Sequence, residues 1–357
     1  VGIKGNRIHI AHCLVTLCVA FSLLVGCNGT GNLVTGDVAA TQSSFRDKHV
    51  GVCIYELNDS FMSLFTNELI RYLVSEGFSK ENIKVYGGSN NEAVQLSQVK
   101  ALVDERVDAL VINPVNASVA HTITELATGN SIPVVYINRE PTGDEEDKWE
   151  EYNLKATYVG CDARQSGIYQ GELVLGIGMD KLDRNRDGIL QYYMIEGAPE
   201  NIDAGFRTVY SVSTIKNAGI EMECLLDEVG NWEEKKAKLI TDKGLEQGLI
   251  PEVIICNNDA MALGAIKALQ DNNLVPGKDV FVVGVDALPE ALDKIKEGTL
   301  VGTVFNDYIR QSHEAADVMI NYLQGKDNEH YVACNYVKVT KDNADAILNE
   351  IDNKKQK

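Results

Sequence analysis

Basic residues are scarce in this 357-residue chain: 33 Lys and Arg stand against 52 Asp and Glu, a formal net charge of −19. Positions 1–26 hold Lys4 and Arg7 and no acid, so without them the balance falls to −21. Such a surface argues against a nucleic-acid backbone or an anionic membrane as partner and leaves neutral ligands open. Cysteine is sparse, eight in all with no Cys-x-x-Cys pair. Beyond Cys27 stand Cys53, Cys161, Cys224, Cys256 and Cys334, an odd number, with Cys53 and Cys256 inside apolar runs. These read as buried thiols rather than a disulfide framework or a metal site. No internal repeat is visible. The apolar run Cys13–Val25 is 13 residues, too short to span a bilayer. Apolar content of 45% is ordinary, and the length suggests two domains.

The short run fits a targeting segment instead. Lys4 and Arg7 precede it, and it closes on Leu24-Val25-Gly26-Cys27, the pattern of a bacterial lipobox whose cysteine is lipidated. A plain signal peptide or a buried helix is the competing reading. Residues 1–26 are then a lipoprotein signal and 27–47, rich in Gly, Thr, Ser and Asn, a flexible tether. The expected place is the extracytoplasmic face of a bacterial membrane, held there by the lipid alone.

From residue 49 short apolar strands alternate with amphipathic helices, which predicts an α/β fold of two doubly wound parallel-sheet lobes. Strands are expected at Val50–Tyr55, Ile83–Tyr86, Ala109–Ile112 and Pro133–Ile137, with Glu140–Lys155 read as a loop. The alternation restarts with strands at Tyr158–Val159, Leu190–Ile195, Met222–Leu226, Val253–Ile255, Val280–Val285 and Leu300–Val304. Two sheets of about five strands follow. Ligands of such sheets bind beyond the carboxyl ends of the strands.

Those ends share a chemistry. The exits carry Asp59 and Phe61, Asn138 and Arg139, Asp203 and Arg207, Asn258, Asp286 and Asn306. Any one Asp or Asn there could be a helix N-cap and nothing more. As a set, carboxylates, amides and an Arg fork suit the hydroxyls of a neutral polyhydroxylated ligand. A sugar also has apolar C–H faces, for which Phe61 and Trp232 are candidate stacking partners, unless they serve the helices beside them.

The run Asp183-Arg184-Asn185-Arg186-Asp187-Gly188-Ile189-Leu190-Gln191 places side-chain oxygens at positions 1, 3, 5 and 9, with glycine at 6. That alternation suits a calcium loop in which Ile189 coordinates through its carbonyl. Position 12 is Met194 where a helix-loop-helix site needs glutamate. A carboxylate must then come from elsewhere, or the run is only a solvated polar turn.

Several blocks in order resemble the galactose/glucose-binding proteins of the type I periplasmic-binding-protein fold, which serve ABC sugar importers. They are Gly51-Val52-Cys53-Ile54-Tyr55 with Asp59 and Phe61-Met62-Ser63, Asn138-Arg139-Glu140-Pro141, Asn257-Asn258-Asp259-Ala260-Met261, Gly284-Val285-Asp286-Ala287-Leu288-Pro289 and Gly302-Thr303-Val304-Phe305-Asn306-Asp307. The resemblance covers 49 to about 350. It implies that the chain is no enzyme, and that D-galactose or D-glucose is held by Asp59, Phe61, Asn138, Asp203, Arg207, Trp232, Asn258, Asp286 and Asn306. It also implies a structural calcium completed by Glu252, an ABC permease as partner, a monomer, and a chemoreceptor as a further partner. Lobes of 48–159 with 306–335 and of 160–305 with 336–357 follow, joined by a three-strand hinge. Asn201 stands where the family commonly has histidine, Arg139 where it often has lysine, and none of the six histidines falls in a site motif. Asn201 can still bond a hydroxyl. Ribose, xylose or a signalling furanoid remains open as ligand. So, more remotely, do a glycosidase using two of Asp59, Asp203 and Asp286, and a sugar-responsive transcription regulator.

Overall fold

The computed structural model describes residues 45–355. Cys27, the 1–26 signal and most of the 27–47 tether lie outside the described residues. The first elements are β1 (Val50–Ile54), α1 (Ser60–Ser75), β2 (Ile83–Gly87), α2 (Glu92–Asp104), β3 (Ala109–Ile112), α3 (Val119–Gly129), β4 (Val134–Ile137), α4 (Gly143–Glu151) and β5 (Ala156–Cys161). Then come α5 (Ala163–Leu175), α6 (Met179–Leu182), β6 (Ile189–Glu196), α7 (Ile202–Asn217), β7 (Glu221–Val229), α8 (Glu234–Glu246), β8 (Val253–Cys256), α9 (Asp259–Asp271), β9 (Phe281–Val283), α10 (Pro289–Glu297) and β10 (Thr303–Phe305). The chain ends in α11 (Tyr308–Leu323), β11 (Tyr331–Cys334), β12 (Val337–Val339) and α12 (Ala344–Lys355).

β1, β3, β4 and β5 are buried along their whole length, as central strands covered by helices on both faces must be. One sheet runs β2-β1-β3-β4-β5-β11, parallel throughout. A second runs β7-β6-β8-β9, and parallel bridges Val283–Gly302 and Asp286–Phe305 carry it on to β10, which pairs antiparallel with β12. This is the doubly wound two-lobed α/β arrangement read from the alternation.

Three readings need correction. Glu140–Lys155 is not all loop, because Gly143–Glu151 is α4. Its sequence GDEEDKWEE lacks an apolar stripe, but three acids in the first turn suit the positive end of a helix. Trp149 anchors it, stacked on Tyr136 at 5.2 Å with its Nε1 donating to Glu145 (2.9 Å). β11 was not anticipated as a strand of the first sheet; it is short and lies on the sheet's edge, partly exposed. Among the five cysteines, Cys224 is exposed on β7, while Cys53, Cys161, Cys256 and Cys334 are buried, and no disulfide joins any of the five.

Close helix packing in the second lobe depends on a missing side chain. A Cβ on Gly264 in α9 would lie 2.1 Å from the Glu234 carbonyl oxygen and 3.0 Å from Lys238 N on α8. The clashing atoms are backbone and cannot swing aside. Gly264→Ala is expected to destabilise the fold by at least ~2 kcal/mol despite alanine's better helix propensity. Chemical denaturation measures this, and an unchanged or raised midpoint would contradict it.

Candidate functional site

Between the two sheets the strand exits meet. Asp59, Phe61 and Asn138 approach from the first sheet, Asn201, Asp203, Arg207, Trp232, Asn258 and Asp286 from the second, and Asn306 from just past the end of β10. All line one chamber of about 30 Å³, room for only a few water-sized spheres. Tyr55, Met62 and Arg139 line it too. A wider mouth of about 610 Å³ lies outside and shares Tyr55, Asp59 and Trp232 with it. Asn90 Nδ2 donates to Glu200 Oε1 (2.7 Å) across that mouth, tying the loop after β2 to the loop after β6. At this volume the chamber as it stands admits little beyond water, so a larger ligand would need the lobes to part.

Several of these residues are caps and lining at once. Asp59 accepts from Met62 N (2.7 Å) at the start of α1, Asn201 from Asp203 N (3.0 Å) at α7, and Asn258 from Met261 N (2.9 Å) at α9. The cap reading holds for these three, and the same side chains line the chamber. Helix N-termini aimed at the chamber favour ligand acceptors. Backbone strain gathers here as well: Asn138 (φ 62°), Trp232 (φ 68°) and Asp286 (φ 121°) hold conformations that non-glycine residues seldom adopt. At roughly 1–3 kcal/mol each, such residues concentrate at functional sites.

Burial leaves several polar groups waiting. Arg207, 4% exposed, donates through Nη1 to the Asn257 carbonyl (2.8 Å) and through Nη2 to Tyr336 (3.2 Å), while its Nε has no protein partner. Arg139 Nε and Nη2 and Trp232 Nε1 are likewise buried and unpartnered within the protein. Trp232 lies flat where Gly197 leaves room, since a Cβ on Gly197 would sit 2.1 Å from the indole. Phe61 is buried and meets Tyr308 edge-on at 6.5 Å. Sequence reasoning missed Tyr55, Met62 and Gly197 as site residues and noted Arg139 as a strand-exit residue in place of the family's lysine without naming it in the site; Gly197, one position past the end of β6, was the available hint.

The carboxylates titrate abnormally. Burial pushes Asp203 up to about 6, against the pull of Arg207 and Arg139. Burial also holds Asp286 well above the usual range, although Arg207 opposes it. For Arg207 burial works against the charge, but Tyr336, Asp286 and Asp203 outweigh it and keep the guanidinium protonated.

The candidate calcium loop is a closed turn. Gly188 takes φ 84°, as position 6 demands, and Asp183 accepts from Asp187 N (3.1 Å) and Gly188 N (2.9 Å). Glu252, distant in sequence, reaches it and accepts from Arg184 N (2.6 Å) and Gln191 N (3.1 Å). Among the described residues no three His, Cys, Asp or Glu side chains close into a metal cage. The amides of Asn185 and Gln191 instead point NH2 groups at Asp187 Oδ2, both at 2.8 Å. In composition the donors fit a hard cation: three carboxylates with no ion-pair partner among the described residues, two amides and the Ile189 carbonyl. Turning either amide over exchanges its NH2 for its oxygen at no cost in shape.

The periplasmic binding protein domain matches residues 50–327. The D-galactose/methyl-galactoside binding periplasmic protein MglB of Haemophilus influenzae is 36% identical over 87% of this chain and 95% of its own length. The ribose import binding protein RbsB of Bacillus subtilis is 25% identical over 78% of this chain and 82% of its own. Among solved structures, an ABC transporter solute binding protein from Bacillus halodurans with bound myo-inositol superposes with a TM-score of 0.74 at 25% identity, over 86% of this chain and 99% of that one. These relatives are binding proteins by name, which agrees with the expectation that the chain is no enzyme.

Asp203 (about 6), Asp259 (about 7) and Glu140 (about 7) are all raised chiefly by burial. A folded-state pKa above the unfolded one gives stability that is full below the unfolded value and lost as pH rises through the folded value. The ligand-free protein is thus expected to melt higher at about pH 5 than at about pH 8. Thermal melts across that window test it, and a rise in midpoint toward pH 8 would be the contrary result.

Proposed function

Because this chain belongs to the periplasmic binding protein family, we propose that it captures a neutral hexose, D-galactose or D-glucose, in the closed chamber and delivers it to an ABC import permease. The observation that carries this reading is the chamber's donor and acceptor set. Two buried carboxylates, Asp203 and Asp286, the half-buried Asp59 and four amides face two guanidinium groups with unpartnered N–H, between Phe61 and the Trp232 indole. A sugar hydroxyl donates to the first kind and accepts from the second, and no net ligand charge is called for. A ligand bonded from both sides favours the closed arrangement, because only there do both lobes reach it. The hinge is formed where the chain crosses near Val159–Cys161, Val304–Asn306 and Asn335–Lys338.

Lipid attachment through Cys27 would keep the protein beside its permease, and a chemoreceptor reading the same closed form is part of the proposal. No helix among the described residues is long and apolar enough to cross a membrane. A calcium ion held by Asp183, Asn185, Asp187, Ile189, Gln191 and Glu252 would cross-link the loop before β6 to the start of β8. A different neutral ligand, ribose or a cyclic polyol, is the second reading; it is favoured by Asn201, whose side-chain oxygen is occupied by Asp203 N.

Calorimetric titration against neutral monosaccharides should give one site with galactose or glucose as the tightest ligand. Trp232→Ala should weaken that binding roughly tenfold or more with little change in melting temperature. No heat with any sugar, or turnover of nitrophenyl glycosides, would overturn the proposal. Chelation with EGTA should lower the melting temperature more than it lowers sugar affinity, since the loop stands apart from the chamber lining. Affinity abolished with the fold intact would refute a structural calcium.

A further inference from the structure

Resting on the sugar-binding reading, we propose that Tyr55 is the positioning residue of the first-sheet half of the chamber, holding Asp59 and Arg139 as an acceptor and a donor aimed at one ligand hydroxyl. Tyr55 follows β1 and is buried. Its hydroxyl donates to Asp59 Oδ2 (2.8 Å), while Asp59 Oδ1 accepts from Met62 N (2.7 Å). A carboxylate held through both oxygens cannot rotate, yet each oxygen keeps a lone pair for a ligand proton. The other face of the same side chain serves Arg139, whose guanidinium carbon lies 3.5 Å above the Tyr55 ring centroid. Arg139 Nη1 donates to the Val115 carbonyl, so Nε and Nη2 are left buried with no protein partner. The hydroxyl of Tyr55 thus fixes the acceptor, and its ring fixes the donor.

The tyrosine is itself anchored. Tyr55 N donates to Asn113 Oδ1 (3.3 Å), and Asn113 Nδ2 donates to the Ile137 carbonyl (3.0 Å) and to Asn138 Oδ1 (3.2 Å). Asn113 is fully buried, so the link from β1 to Asn138 is rigid. A hydroxyl that donates to Asp59 and accepts from Arg139 satisfies both; a ligand without one there leaves buried N–H groups unmatched.

The groups facing Asp59 are Tyr55 on its own segment, Arg139 after β4 and Asp286 across the chamber. Burial raises the Asp59 pKa, and the bonds from Met62 N and the Tyr55 hydroxyl are the first to oppose it.

The test is Tyr55→Phe in the full chain, which keeps the ring and deletes the bond to Asp59. Carbon-detected NMR of the Asp59 carboxyl in the sugar-free protein should show its titration midpoint moved to higher pH. Calorimetry with D-galactose should show affinity reduced about tenfold, with the acid limb of its pH profile moved the same way. Tyr55→Leu should lose more, since Arg139 is freed as well. An unmoved Asp59 midpoint, or lower affinity accompanied only by a lower melting temperature, would overturn the proposal. If the wild-type chain binds no sugar the hexose reading fails, while the Asp59 titration still decides the role of Tyr55.

Discussion

A buried cation organises this molecule. Arg207 projects from α7 into a chamber that water barely enters, and a guanidinium there is tolerable only if every neighbour helps to hold its charge. The help comes from four places in the chain. Asn257 offers its carbonyl at the exit of β8, Tyr336 its hydroxyl just before β12, Asp286 its charge past β9, and Asp203 its charge from one turn back on α7. The segment before β12, two strand ends and a helix start are therefore fixed against one side chain. Its Nε is left buried with no partner in the protein, a donor that a ligand could satisfy.

Strain and tight packing around it follow the same logic. Asp286 and Trp232 sit in backbone conformations that only a surrounding structure could enforce, and Gly197 gives up a side chain so that the indole can lie flat. The first lobe answers with a smaller version of the device. Arg139 is buried on the ring of Tyr55, and Asp59 is held by a tyrosine hydroxyl and a helix N-terminus. On the proposed reading each half is prepared before a ligand arrives, and closure would have only to bring the two surfaces together.

Much of this was legible in the residues. Apolar runs buried on both faces mark central strands, and Asp59, Asn201 and Asn258 announce helix starts whose other side faces the chamber. All ten candidate lining residues came together, because strand exits of a parallel sheet share one edge. What escaped was set by three-dimensional context. Tyr55 reads as the last apolar residue of a strand, and only its hydroxyl's partner four residues on reveals its task. The helix α4 has almost no apolar stripe and depends on Trp149 alone, so periodicity misses it. Cys224 reads with the other cysteines as a buried thiol, but β7 is an edge strand with much of its length exposed. The 183–191 loop was recognisable by its alternation. That Glu252 closes on it is a fact of the pairing between β6 and β8, and the resemblance anticipated it where spacing could not.

The most direct measurement is a crystal structure of the protein grown with D-galactose. The account predicts one sugar ring between Phe61 and Trp232, its hydroxyls bonded at once to Asp59 and Arg139 from one lobe and to Arg207 and Asp286 from the other. Sugar density anywhere else, or a ring bonded to one lobe alone with the other turned away, would contradict it.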